Sequence, residues 1–161
     1  MTNPFRIEPA TPADIPDIVA LIRELAEFER LVDQFVATEP RLHDSLFGAR
    51  SYAEVLMARG GTESLGFALF FHNYSTFRAQ PGIYLEDLYV RPTYRGDGVG
   101  EALLRRVAKI AVERGCGRFE WSVLDWNQRA IDFYKELGAE PLNEWTMFRV
   151  SGDNLNKLAQ V

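Results

Sequence analysis

Cysteine is nearly absent: Cys116 stands alone among 161 residues. No intramolecular disulfide can form, and this usage fits a reducing compartment. Cys116 is also poorly placed for a nucleophile, since a small residue at the end of a helix reads as packing. Histidine is almost as scarce. His43 and His72 are far apart in the chain and carry no metal-ligand spacing, so no metal site is expected. No run of 18 apolar residues occurs, and the opening MTNPFRIEPA contains no hydrophobic signal segment. The expectation is a protein without a membrane span, working in the cytoplasm. Positive charge is in deficit too, with 18 Lys and Arg against 23 Asp and Glu for a formal charge of −5. That balance argues against a nucleic-acid partner and is compatible with a cationic small-molecule substrate.

Apolar residues are plentiful, at 47%, enough for one core of ordinary size, so residues 1–161 read as a single domain. Periodicity gives a short strand at Pro4 to Glu8. A helix follows, capped by Thr11, with Pro12 at its first position and Asp14 three residues after the cap. Its apolar face carries Ile15, Ile18, Val19, Ile22, Leu25 and Phe28. Phe28 and Glu29 close it, where a loop could hang over a neighbouring cleft. A second helix runs from Thr38 to Gly48, and strands at Ser51 to Ala58 and Leu65 to His72 flank a turn at Gly60-Gly61. A strand at Ile83 to Val90 precedes a helix that opens near Gly98 and stops at Gly115. Then come a strand at Arg118 to Leu124, a helix from Asp125-Trp126-Asn127 to Gly138, and a last strand at Trp145 to Val150. The tail to Val161 has room for a short helix. Consecutive strands followed by alternating helices and strands predict a mixed α/β fold, a mostly antiparallel central sheet with helices on both faces.

The centre of this order is Ile83 to Gly100, IYLEDLYVRPTYRGDGVG. A buried strand leads into Arg95-Gly96-Asp97-Gly98-Val99-Gly100, and the helix that follows presents unpaired amides and the positive end of its dipole. Such a turn can be only a tight turn. It can also be a phosphate cradle, in which the glycines allow close backbone approach and Arg95 adds a cation. The spacing is G-x-G-x-G, not the G-x-G-x-x-G of a dinucleotide fold, and Gly100-Glu101 lacks the Lys-Ser/Thr ending of a P-loop. It resembles the R-x-x-G-x-G/A signature of the GNAT acetyltransferases, which grips the pyrophosphate of acetyl-coenzyme A.

Acetylating an amine from a thioester poses two proton problems. An alkyl ammonium of pKa about 10.4 is neutral in only about one molecule in 2,500 at pH 7, a penalty of about 4.6 kcal/mol. The departing thiolate gains from a proton or hydrogen bond as its bond to carbon breaks. Glu86, mid-strand among Tyr84, Leu85, Leu88 and Val90, is the candidate base, directly or through a water, because burial would raise its pKa. A carboxylate paired to a nearby arginine or marking a sheet edge is the other reading. Strand alternation sends Asp87 to the opposite face. Tyr134 is the candidate acid, sharing a helix face with Asn127 two turns earlier; a core tyrosine is the alternative. Amides around Leu88 and Val90 could polarise the thioester carbonyl.

Further strings narrow the resemblance. Residues 22–29 (IRELAEFE), 82–90 (GIYLEDLYV) and 123–130 (VLDWNQRA) followed by Tyr134-Lys135 are similar to the diamine (spermidine/spermine) acetyltransferases. They are closer still to the related thialysine Nε-acetyltransferases. The resemblance implies Tyr134 as acid and Glu86 as base, and Leu88, Tyr89 and Val90 against the pantetheine arm. It implies Arg95, Gly96, Asp97, Gly98, Val99 and Gly100 around the pyrophosphate, and Asn127, Arg129 and Tyr134 as further cofactor contacts. Phe28, Glu29, Glu86, Asp87, Glu120, Trp121 and Ser122 would fall on the amine side. The resemblance also implies a homodimer. With no nucleophile well placed for a covalent intermediate, the amine is expected to attack the thioester directly in a ternary complex. Thr76 and Arg78 stand where polyamine-specific members carry an acidic residue and a tryptophan. An arginine repels a polycation and would suit a substrate bearing a carboxylate. Peptide acetylation and a non-catalytic acyl-coenzyme A sensor are the alternatives.

Overall fold

The computed structural model describes residues 4–160, which fall into two compact units divided between Ser122 and Val123. The first holds the sheet, five strands among the described residues in the order β1-β2-β3-β4-β5. Strands β1 (Arg6–Pro9), β2 (Glu54–Gly60), β3 (Glu63–Ser75) and β4 (Gln80–Val90) are antiparallel in sequence order, and β5 (Phe119–Trp121) lies parallel to β4. This is the mixed, mostly antiparallel sheet that the periodicity predicts.

Helix α1 (Ile15–Phe28) follows a single 3-10 turn at Pro12–Asp14, and α2 (Glu39–Phe47) is capped by the Thr38 hydroxyl, which accepts from the Arg41 amide at 3.4 Å. The Asp14 carboxylate accepts from the Thr11 amide at 2.8 Å, so the start signal read from Thr11 and Asp14 is real. One apolar layer joins Ile18, Leu21 and Leu25 of α1 and Leu46 of α2 to Val55, Met57, Phe67 and Tyr89 of the sheet. Strand alternation turns Leu56, Ala58, Ala68 and Phe70 to the other face. There α3 (Val99–Glu113) packs on β2, β3 and β4 with Leu103, Leu104, Val107, Ile110 and Ala111 buried.

Arginines tie the layers together. Arg59, with its side chain 12% exposed, reaches Glu8 at 2.8 Å, the Ser64 hydroxyl at 3.1 Å, and Asp14. Arg91, at the end of β4, grips Glu24 of α1 at 3.0 to 3.1 Å and donates to the Ser64 carbonyl at 2.8 Å.

The second unit carries α4 (Gln128–Glu136) and α5 (Gly152–Ala159). Two expectations need correction. The strand read at Arg118 to Leu124 is only Phe119–Trp121, because its ladder with β4 ends at Leu85↔Trp121, just before β4 bulges. The strand read at Trp145 to Val150 does not form: among the described residues this segment pairs with none. A strand-forming sequence becomes a strand only where a neighbour supplies the ladder.

Candidate active site

Strand β4 pairs with β3 along one edge, but β5 covers its other edge only at Ile83, Tyr84 and Leu85. From Glu86 to Val90 that second edge has no strand partner among the described residues, so its backbone groups are not used by the sheet on that side. The strand then passes through a 3-10 turn at Pro92–Tyr94 into the glycine loop. Gly96 has φ 90° and Gly98, the residue capping α3, has φ 81°. Both lie in the left-handed region that disfavours any side chain. A Cβ at either would meet nothing within 4 Å, so the space above the loop is clear. The first amides of α3, at Val99, Gly100 and Glu101, have no acceptor within the helix. An open strand edge running into a glycine-capped helix start suits a diphosphate carrying a linear, amide-bearing arm, as coenzyme A does. Asp97 is exposed in the same loop.

Arg95 does not stand free above this cradle. Its Nε donates to the Val90 carbonyl at 2.8 Å, and its guanidinium carbon lies 4.8 Å from the centre of the Phe28 ring and 5.4 Å from that of Tyr89. The first residue of the loop is thereby joined to the end of α1, a link that no local pattern announces.

The carboxylates are arranged differently from the sequence expectation. In the β3–β4 ladder Leu69 pairs with Asp87 and Phe70 with Leu85, so Glu86 is the extra residue of a β-bulge. Glu86 is exposed, not buried, and its neighbour Asp87 is half-buried; the desolvation expected of Glu86 falls on Asp87. The bulge also breaks the alternation that would send the two side chains to opposite faces. Glu29, just after α1, is near enough to both for the charges to act on one another. Burial first, then the charges of Glu86 and Glu29, push the Asp87 carboxyl up to about 7. Burial and Glu86 raise Glu29 as well. Such a cluster has unfavourable self-repulsion that a substrate ammonium would relieve, and a carboxyl titrating near neutrality can accept its proton.

Of the β5 residues expected on the amine side, Glu120 is fixed by Arg118 at 2.8 Å and by the Asn73 amide at 3.0 Å. Ser122 shares a 2.8 Å hydrogen bond with the Tyr84 hydroxyl. Trp121 packs against Phe119 with ring centres 4.9 Å apart and the rings tilted by 60°. Asn73 and Arg118 escaped the sequence reading, for their roles come from strand pairing and nothing nearby in the chain signals them. In the second unit the Asn127 side chain accepts from the Ala130 amide at 3.3 Å and caps α4. Arg129 is exposed in the first turn, and Tyr134 is half-buried with its ring 5.5 Å from Phe133. A cavity of ≈ 390 Å³ lies toward the other end of α3, between Leu46, Val55, Phe70 and Ile110. It is remote from the glycine loop, and the Arg114–Glu54 pair at 2.6 Å stands on its rim.

Residues 19–139 match the model of the acetyltransferase (GNAT) family. The chain is similar to the thialysine N-epsilon-acetyltransferase of Bos taurus, with 42% identity over 164 residues, 95% of this chain and 96% of that one. It is also similar to an L-ornithine N5-acetyltransferase of Arabidopsis thaliana, 36% identical over 198 residues and covering 95% of this chain and 87% of the relative. Among solved structures, an integron cassette protein from the mobile metagenome of V. cholerae superposes with a TM-score of 0.83 at 30% identity, covering 100% of this chain and 99% of that one.

Proposed function

Because the chain belongs to the GNAT acetyltransferase family, we propose that it acetylates the side-chain amine of a small amino acid of the thialysine or ornithine kind, with acetyl-coenzyme A as donor. The observation that carries this reading is the juxtaposition, within one strand, of an open edge leading to the glycine-capped start of α3 and a bulge that gathers carboxylates beside the end of α1. Relatives acting on thialysine and on L-ornithine support the choice of substrate. Arg78, exposed in the turn between β3 and β4, is the candidate partner for the substrate carboxylate and disfavours a polyamine.

Acetyl-coenzyme A supplies the acetyl group as an activated thioester. The backbone of Leu88, Tyr89 and Val90 would line the arm, and Arg95 to Gly100 would hold the diphosphate; Asn127 and Arg129, in the second unit, are the candidates for further contacts. Glu29, Glu86 and Asp87 draw in the ammonium and accept its proton, directly or through water, so that the nitrogen lone pair is free to attack. Glu86, exposed at the bulge, is the outlet of that proton to solvent. Phe28, Glu120, Trp121 and Ser122 shape the amine side. Tyr134, on α4 of the second unit, is the candidate donor of a hydrogen bond to the leaving sulfur, a bond that would strengthen as charge develops there.

The family match crosses from the first unit into the second, which supports a single catalytic domain over 1–161. Trp145, Met147, Phe148 and Val150 are exposed in a segment of strand-forming sequence, which supports a homodimer in which a second copy covers them. The single cysteine supports work in the reducing cytoplasm.

Coenzyme A thiol release over thialysine, L-ornithine, L-lysine, putrescine, spermidine and a lysine peptide tests the reading. Turnover should be greatest with thialysine or L-ornithine and poor with spermidine; silence with every free amine refutes it. Glu86→Gln and Tyr134→Phe should each lower kcat by about 10²–10⁴ while coenzyme A affinity stays within a few-fold.

A further inference from the structure

Strand β1 stops before its partner does. Its ladder with β2 ends at Pro9↔Leu56, and the Ala10 amide still reaches the Val55 carbonyl at 2.9 Å. The chain then leaves for the 3-10 turn at Pro12–Asp14, while β2 extends back to Glu54. Among the described residues no strand covers that last stretch of β2 on its outer side. The end of α2 packs on one face of the sheet there and the end of α3 on the other. Between them lies the cavity of ≈ 390 Å³, floored by Leu46 and Val55 from one layer and by Phe70 and Ile110 from the other. All four are buried. A volume of this order accommodates a small organic molecule. At 1.5 Å per residue, Ile110 stands about 18 Å along α3 from Gly98, well away from the glycine loop.

The charged side chains around this cavity are not equally engaged. Glu54 is clasped by Arg114 at 2.6 and 2.8 Å, and that partner holds its carboxyl below its ordinary value. The pair has little left to offer a ligand. Arg106 is held more loosely: its Nη1 lies 3.9 Å from Glu113, a carboxylate that Lys109 approaches at 3.8 Å. Neither distance is that of a hydrogen bond, so the guanidinium keeps its donors. Two cations thus face one carboxylate beside an apolar floor, an arrangement that suits an anion with an apolar body.

We propose that this cavity binds a medium-chain aliphatic carboxylate, its head on Arg106 and its chain against Leu46, Val55, Phe70 and Ile110. The site lies outside both halves of the acetyl-transfer reading and does not depend on it. Burial of the chain drives binding, and Arg106 selects the charge of the head. A chain held between α2 and α3 also stabilises the folded protein by mass action.

Octanoate is the probe, added to the full chain saturated with coenzyme A so that the donor groove is already filled. In two-dimensional amide spectra, residues 46–56 and 106–114 should shift together with a Kd of about 0.1–1 mM. Octylammonium, with the same chain and the opposite charge, should bind at least about tenfold more weakly. Arg106→Gln removes a side chain that is 37% exposed and bound by no hydrogen bond among the described residues. The fold should persist while octanoate weakens by about tenfold; Arg106→Lys should restore most of the affinity. Ala53→Leu narrows the cavity and should weaken octanoate with the charges unchanged. Shifts confined to residues 86–100, or none up to about 10 mM octanoate, overturn the site. So does equal affinity for octylammonium, or affinity unchanged in both Arg106→Gln and Ala53→Leu. Each of these results leaves the acetyl-transfer reading standing. Failure of coenzyme A to bind, with the octanoate shifts intact, overturns that reading and not this site.

Discussion

Replacing Asp87 by asparagine should make this protein more stable at pH 8 and leave its stability at pH 4 almost unchanged. The Asp87 carboxyl is raised from its ordinary 3.8 to about 7 by burial beside Glu86 and Glu29. Between those values the folded chain keeps a proton that the unfolded chain has lost. The folded state is therefore favoured below the lower value, loses that advantage as pH rises, and levels off above about 7. A difference of about three units at about 1.36 kcal/mol each gives about 4 kcal/mol as an upper figure for ionising the folded group. Relaxation and solvent entry bring the expected gain of Asp87→Asn at pH 8 to about 2–4 kcal/mol, a rise in Tm of roughly 5–15 °C for a chain of this size. The assay is thermal and urea unfolding of both proteins from pH 4 to pH 8, read as the difference between them so that other groups cancel. Activity should move the other way, since the variant has lost a proton acceptor and a partner for the ammonium. Parallel pH profiles, or a variant that is less stable at pH 8 than at pH 4 relative to wild type, would refute the account of the cluster. Thialysine should also lower the Asp87 pKa, seen as proton release on binding in buffers of different ionisation enthalpy.

Gly98→Ala forces an L residue to φ 81°, at about 1–2 kcal/mol; since a Cβ there meets nothing within 4 Å, the cost is conformational. It should appear as a small drop in Tm and roughly tenfold weaker coenzyme A binding by calorimetry. Arg59→Ala removes the partner of Glu8, Asp14 and the Ser64 hydroxyl from a site where the side chain is 12% exposed, and urea unfolding should report a loss of about 3–5 kcal/mol. Arg114→Ala should flatten acid unfolding. The Glu54 carboxyl is held below its ordinary 4.5 by the Arg114 hydrogen bond, so its contribution exists above that value and is lost as pH falls through the folded one.

The elements and their order were written locally. Apolar spacing placed α1 and α3, the glycines at 96 and 98 placed the start of α3, and Thr11, Thr38 and Asn127 marked helix starts, because caps and periodicity act within a few residues. The strand from Ile83 to Val90 and the glycine loop after it were legible for the same reason. Pairing was not. Only the partner strand decides that Glu86 falls in a bulge, that the desolvated carboxyl is the half-buried Asp87, and that Trp145 to Val150 finds no ladder within the described chain. The stack of Arg95 on Phe28, and the grip of Asn73 and Arg118 on Glu120, likewise come from elements distant in sequence. Hydrogen bonds of a helix close within one turn and leave their signature in neighbouring residues. Those of a sheet, and the desolvation that sets a pKa, depend on which remote segment arrives, and that is decided when the core packs.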